Sequence, residues 1–155
     1  MTGIQKFAIK ITEGIDKRIK KGEMDIVVPE WINEIPDYQN LNIVRYGNKK
    51  GIAWEQIDYP KYLKKNNKLS LNMTNNPTII FPHGMVTIHD ICCKTKPEYF
   101  VTFRDKMSAL WHRCLYRVAM RSDMKIVTVS KFSKKEIIDT YGICEDRIYV
   151  VYNAY

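Results

Sequence analysis

Nowhere in its 155 residues does the chain carry an unbroken apolar run near the roughly 18 residues that a membrane span requires. Charges interrupt residues 1–20 every few positions, which excludes a secretory signal peptide and makes the cytoplasm the default compartment. The four cysteines, Cys92, Cys93, Cys114 and Cys144, form no C-x-x-C pair, and the adjacent Cys92 and Cys93 do not readily bond each other. His89, Cys92, His112 and Cys114 match no ligand spacing of a known metal site. The cysteines therefore read as small hydrophobes beside core positions, and no metal or cofactor is expected. A Gly-x-Ser-x-Gly elbow is missing, so a hydrolase triad has no support. Recognition-helix, zinc and aromatic-sheet signatures are missing too, which leaves nucleic acid without a case beyond charge. Internal repeats and low-complexity tracts are absent.

Acidic side chains are also in short supply: 17 against 25 basic ones, for a net charge of +8. The cations cluster at Lys17-Arg18 with Lys20-Lys21, at Lys49-Lys50, at Lys64-Lys65 with Lys68, and at Lys134-Lys135. Such runs are ordinarily a solvated face. The same excess would also attract a polyanion, whether a phosphorylated ligand, an anionic lipid surface or nucleic acid, and charge alone does not choose among them.

What is present is an alternation of helical and extended patterns over a length that suits one domain, 1–155. Thr2 and Gln5 form a capping box, followed by Ile4, Phe7, Ala8, Ile11, Ile15 and Ile19 at helical spacing, with Gly22 as the stop. Ile26-Val27-Val28 before Pro29 predicts a strand, as does 42–46. The segment 52–65 reads as helical, with Pro60 either beginning a second piece or kinking the first. A brief strand at 69–73 is broken by Asn75-Asn76-Pro77, and 85–89 is the clearest buried strand. A long helix is expected over 98–121, with Phe100, Phe103, Met107, Leu110, Cys114, Leu115 and Val118 as its core stripe. A strand at 125–129, a helix capped by Ser133 and Glu136 and stopped by Gly142, and a strand at 147–151 complete the chain. Strands alternating with helices imply the α/β class: a Rossmann-like three-layer sandwich with a mostly parallel sheet.

Such a domain ordinarily opens with a strand, whereas here the first helix begins at the second or third residue. The Thr2-Gly3-Ile4 turn reads as the tail of a strand-to-helix loop, so the first strand is expected to lie upstream of a truncated chain or a misplaced start.

Read in order, the polar ends of these strands resemble a family. Gly3-Ile4 before an amphipathic helix is similar to the glycine loop after the first strand of GT-B fold, retaining nucleotide-sugar glycosyltransferases. Trp54-Glu55-Gln56 with Pro60 and Leu63 resembles a stretch of their mannosyl- and rhamnosyltransferase-like branch. Asn75-Asn76-Pro77 resembles the loop after the fourth strand, and the run from Val86 to His89-Asp90 the signature strand ending in His-Asp. Thr128-Val129-Ser130 with Phe132-Ser133, and the run from Ile148 to Asn153, match two further elements in order. Ala154 departs from the usual glycine before the hinge.

The resemblance implies the N-terminal, acceptor-side domain of such an enzyme. The donor-binding C-terminal domain is absent from this chain, which is then inactive alone. The reaction implied moves a hexosyl unit from a nucleotide diphosphate sugar to a sugar or lipid-linked acceptor, with His89 and Asp90 as catalytic candidates. Ligands of open α/β sheets bind beyond the carboxyl ends of the strands, where Gly3, Ile4, Asn76, Ser130 and Asn153 would line the cleft. His89 can donate a hydrogen bond to a sugar hydroxyl. Asp90 either orients that imidazole or caps the next turn, and Ser130 either supports the turn capped by Ser133 or lines the cleft. Trp54 and Trp111 could stack on sugars, although helical spacing favours a core role. The basic surface suits an acceptor carried at the inner membrane face. The competing reading is a non-catalytic Rossmann-like module that binds a phosphorylated ligand at the Gly3 loop.

Overall fold

In this computed structural model residues 2–153 are described, and the chain divides into two compact units, 1–68 and 69–155. The departure at Ala154 lies outside the described residues.

The first unit opens with α1 (Gly3–Asp16), whose capping box forms as expected: Thr2 Oγ1 accepts from the Gln5 N–H, and Gln5 Oε1 from the Thr2 N–H. The helix stops at Asp16, a turn before Ile19. The Asp16 carboxylate turns out of the helix to accept the backbone N–H groups of Gln39, Asn40 and Leu41 at 2.8–3.0 Å. These three bonds, the Gln39 one foremost, hold its pKa below 3.8 against the opposing effect of burial. β1 (Asp25–Val28) pairs in parallel with β2 (Asn42–Arg45), Ile26 opposite Ile43.

The predicted helix over 52–65 forms as α2 (Gly51–Ala53), a π-helical turn (Trp54–Asp58) and α3 (Tyr59–Lys65) in direct succession. Pro60 is the reason: its ring cannot follow a regular α turn, because it lacks an N–H and crowds the carbonyl four residues back. Trp54 stacks on Tyr59 at 5.5 Å and donates through Nε1 to the Tyr46 carbonyl, so its role is structural. Asp25 accepts from Tyr62 Oη, Lys68 Nζ and Asn42 Nδ2. Burial alone would raise its pKa; these partners outweigh that and lower it.

The second unit holds a four-stranded, fully parallel sheet in the order β3 (Ser70–Asn72), β4 (Gly84–Thr87), β5 (Lys125–Thr128) and β6 (Ile148–Val150). Spatial order follows chain order, so right-handed crossovers put α5 (Phe103–Arg121) and α6 (Lys131–Tyr141) on the same face. There Val86, Ile88, Ile126 and Ile148 meet Leu115, Ala119 and Ile137, all buried. A short α4 (Cys92–Thr95) and a 3-10 turn (Pro97–Tyr99) precede α5. The α/β class and parallel pairing are as the sequence predicted.

Three local expectations are corrected. α5 starts at Phe103 rather than near 98, because Thr102 and Asp105 form an unforeseen capping box. Its expected core stripe is largely on the outside: Phe103 is 82% exposed, Met107 50% and Leu110 52%, and Cys114 is exposed. The buried face is Ala109, Leu115, Tyr116, Ala119 and Met120. Small residues there let helix and sheet approach closely, and the large apolar residues masked them in the periodicity. Finally, Ser130 rather than Ser133 caps α6, its Oγ accepting the Ser133 N–H at 3.0 Å. Ser133 is buried inside the first turn.

Candidate functional site

Because all four strands of the second unit run the same way, their carboxyl ends share one edge. The loop after β3 supplies Asn75 and Asn76; the segment after β4 supplies His89 and Asp90. Ser130 follows β5, and Asn153 follows β6. The unit thus brings five of the expected site residues to one edge: Asn76, His89, Asp90, Ser130 and Asn153. Gly3 and Ile4 belong to the first turn of α1 in the other unit. A Cβ at Gly3 would meet nothing within 4 Å.

The geometry of this edge is set by Asn75. It adopts a left-handed backbone, φ 64°, which asparagine tolerates better than most residues. Its N–H donates to the Thr87 carbonyl at 3.1 Å, and its Oδ1 accepts the His89 N–H at 2.9 Å. Asn72 Nδ2 holds the Asn76 carbonyl at 2.7 Å. The β3 loop is thereby tied to the end of β4. His89 is buried, and its Nε2 lies 3.2 Å from the Met73 carbonyl. A carbonyl can only accept, so Nε2 carries the proton of this bond.

Asp90 is exposed, and its Oδ1 accepts the Cys92 N–H at 2.9 Å. Of its two readings, this geometry corresponds to the turn cap. Ser130 Oγ both accepts from the Ser133 N–H and donates to Ser133 Oγ at 3.0 Å.

His112 was missed as part of this edge. The Asn75 backbone bonds its ring, and burial lowers its pKa against the opposing effects of that bond and of Asp90. Its Nδ1 and Thr128 Oγ1 are both buried without a hydrogen-bond partner. The signal was available: Tyr116 and Ala119 follow His112 at helical spacing on the face that proves buried.

The thiols beside Asp90 are poor nucleophiles. Burial raises Cys92, with Asp90 adding to it, and burial pushes Cys93 up to about 11. Of the four cysteines only Cys93 is buried, so the expectation of core thiols fails for exposed Cys114 and Cys144. Successive helical residues turn by about 100°, so His112 and Cys114 point to opposite sides of α5. Among the described residues no three His, Cys, Asp or Glu side chains converge as a metal site. Trp111 packs against the core cluster. No helix among the described residues is long and apolar enough to cross a membrane.

What the edge offers is hydrogen bonding: backbone carbonyls, amides, hydroxyls, an imidazole and the exposed Asp90 carboxylate, with no activated nucleophile among the described residues. Groups of this kind are able to hydrogen-bond a polyhydroxyl ligand. Comparison with curated proteins and with solved structures gives no match. Residues 67–155, more than half of the chain and including the whole of this edge, match a family model described as Glycosyltransferase Family 4. On that match and its parallel α/β fold, the chain belongs to glycosyltransferase family 4.

Proposed function

We propose that the carboxyl edge of the second unit is the acceptor-side wall of a site that transfers a hexosyl unit, with retention, from a nucleotide diphosphate sugar to a sugar or lipid-linked acceptor. The observation that supports this best is the convergence of Asn76, His89, Asp90, Ser130 and Asn153 on one sheet edge inside the family-matched residues. His89 would give up its Met73 carbonyl to donate to a sugar hydroxyl, and Asp90 would hold the turn that carries it. Asn76, Ser130 and Asn153 would line the acceptor's path. Gly3 and Ile4, in the first turn of α1 on their own unit, keep their proposed role of lining a ligand cleft. Catalysis in such a site lies in orienting acceptor against donor and stabilising the leaving diphosphate. We assign the second task to a donor-binding domain outside these 155 residues, so 1–155 acts as one acceptor-side domain, inactive alone. The branch inferred is mannosyl- or rhamnosyltransferase-like, in a cytoplasmic setting.

The test is a titration of the purified chain with GDP-mannose, dTDP-rhamnose and a panel of acceptor oligosaccharides, followed by amide NMR. Acceptors should perturb the amides around Asn76 and His89, while nucleotide sugars bind weakly. In the assembled enzyme His89→Ala should lower the transfer rate by about a hundredfold. Micromolar nucleotide-sugar binding by this chain alone would sink the division of labour. Acceptor shifts that avoid the edge would sink the site.

A further inference from the structure

Parallel pairing brings the carboxyl ends of β1 and β2 to one edge of the first unit. Loops at such ends are where open α/β sheets take their ligands. The loop after β1 carries Trp31, and the loop after β2 carries Gly47, Asn48, Lys49 and Lys50. Of the three tryptophans, Trp54 is stacked on Tyr59 and Trp111 packs against the core cluster, whereas Trp31 is 45% exposed. A half-open indole leaves a large apolar surface in water.

The two loops hold it there. Trp31 Nε1 donates to the Lys49 carbonyl at 3.0 Å, and the Glu30 N–H donates to the Gly47 carbonyl at 2.9 Å. Arg45 Nε donates to the Ile32 carbonyl at 3.3 Å. The Lys49 N–H donates in turn to the buried Asp58 carboxylate at 3.1 Å. Gly47, at φ 75°, packs so closely on that carboxylate that a Cβ would lie 2.5 Å from Oδ2. The polar N–H of the indole is therefore engaged within the protein, and the part left open is apolar ring. The Lys50 ammonium stands over it, 5.7 Å from the ring centroid.

A pinned aromatic face offers contact area with little conformational entropy left to lose. Around it the same loops expose Glu30, Asn48 and Lys50: a carboxylate, an amide and an ammonium. A phosphate-bearing ligand would gain Lys50 but meet the Glu30 carboxylate as well. A sugar hydroxyl both donates and accepts, so all three side chains match it. The C–H face of a pyranose is apolar, with its hydrogens slightly positive, which complements the negative face of an indole.

We propose that Trp31 is the platform of a saccharide subsite, on which an uncharged pyranose ring stacks while Glu30, Asn48 and Lys50 meet its hydroxyls. Lys50 gives up the ring face to the sugar and moves to its rim. The subsite belongs to the first unit and lies outside the family-matched residues 67–155. Its saccharide class rests on the acceptor reading above; its place rests on the geometry of these two loops.

The test is a titration of the isotope-labelled full chain with cellotetraose and maltotetraose, read at the indole N–H signals by NMR. The Trp31 signal should move with an affinity of about 1 to 10 mM, while those of Trp54 and Trp111 stay in place. Mannitol has the hydroxyls without a ring face and should leave Trp31 unmoved. Raising salt from about 0.05 to 0.5 M should change the affinity less than about twofold, because no ion pair with the ligand forms. Read at the Asn48 and Lys50 amides, Trp31→Ala should weaken binding at least about tenfold and Trp31→Phe about threefold. Circular dichroism verifies that both variants are folded.

A Trp31 signal unmoved by either sugar at about 20 mM overturns the proposal. So does equal movement with mannitol, or undiminished binding by folded Trp31→Ala. Tighter binding of ADP than of either sugar would assign the ring to a nucleotide and overturn it too. Shifts confined to the amides around Asn76 and His89 would keep the acceptor edge and remove this subsite. Shifts at Trp31 with none at that edge would keep this subsite and remove the other.

Discussion

Arg147 closes the end of α5 with a single side chain. Nη1 donates to the Met120 carbonyl at 3.0 Å, and Nη2 donates to the carbonyls of Ala119 and Met124 at 3.2 and 2.9 Å. A helix leaves its last carbonyls without intrahelical partners, and a cation there also meets the negative end of the dipole. Arg147→Met should destabilise the second unit by about 2 to 4 kcal/mol, since three acceptors lose a charged donor together. Arg147→Lys should recover only part of that, because an ammonium lacks the guanidinium fork. Urea unfolding followed by circular dichroism would measure both; a loss under about half a kcal/mol would mean that water replaces the side chain freely.

Among the elements, β4 depends most on one residue. Gly84 sits at φ 111°, and a Cβ there would overlap the backbone of Ser70 in the neighbouring strand. Ser70 is itself fixed: its N–H and Oγ both donate to the His83 carbonyl, at 3.1 and 2.7 Å. Neither strand can move aside without losing those bonds. Gly84→Ala should therefore cost about 2 to 3 kcal/mol, combining backbone strain with overpacking. It should also raise hydrogen exchange first at the β3–β4 pairing, upstream of His89. Uniform loss of protection across the sheet would argue against this local cause. The continuous helical run from Gly51 to Lys65 is the opposite case, since its π turn absorbs Pro60 with no break in the chain of turns.

For the whole molecule, acid should act on the two units in different pH ranges. His112 in the second unit has a native pKa below its ordinary 6.5, so its neutral form favours folding. That contribution is complete above 6.5 and is lost as pH falls through the lower native value. In the first unit Asp16 and Asp25 sit below 3.8, and their contribution holds until pH falls below that ordinary value toward the native ones. Peptide-resolved hydrogen exchange from pH 7 downward should show residues 69–153 loosening first, and His112→Gln should remove that early phase. Loosening of both units together near pH 4 would contradict this reading of His112.

Much of the local structure was legible before any coordinates. Thr2 with Gln5, Pro29, Asn75 and Gly142 act through covalent geometry and near-neighbour bonds, and these ended or began elements as read. The alternation of strand and helix was enough to imply a parallel α/β fold, because crossovers between parallel strands need helices. Sequence order also carried His89, Asp90, Ser130 and Asn153, since each follows a strand that could be recognised by its β-branched run. Three things depended on packing between distant residues, which periodicity cannot weigh. One was the buried side of α5, where Ala109 and Ala119 won over Phe103 and Leu110 because small side chains permit close approach to the sheet. The second was the recruitment of His112 to Asn75, two residues far apart in the chain. The last was the division of the parallel strands into a two-stranded ladder and a four-stranded one, which is a choice among pairing partners that each strand's own sequence leaves open.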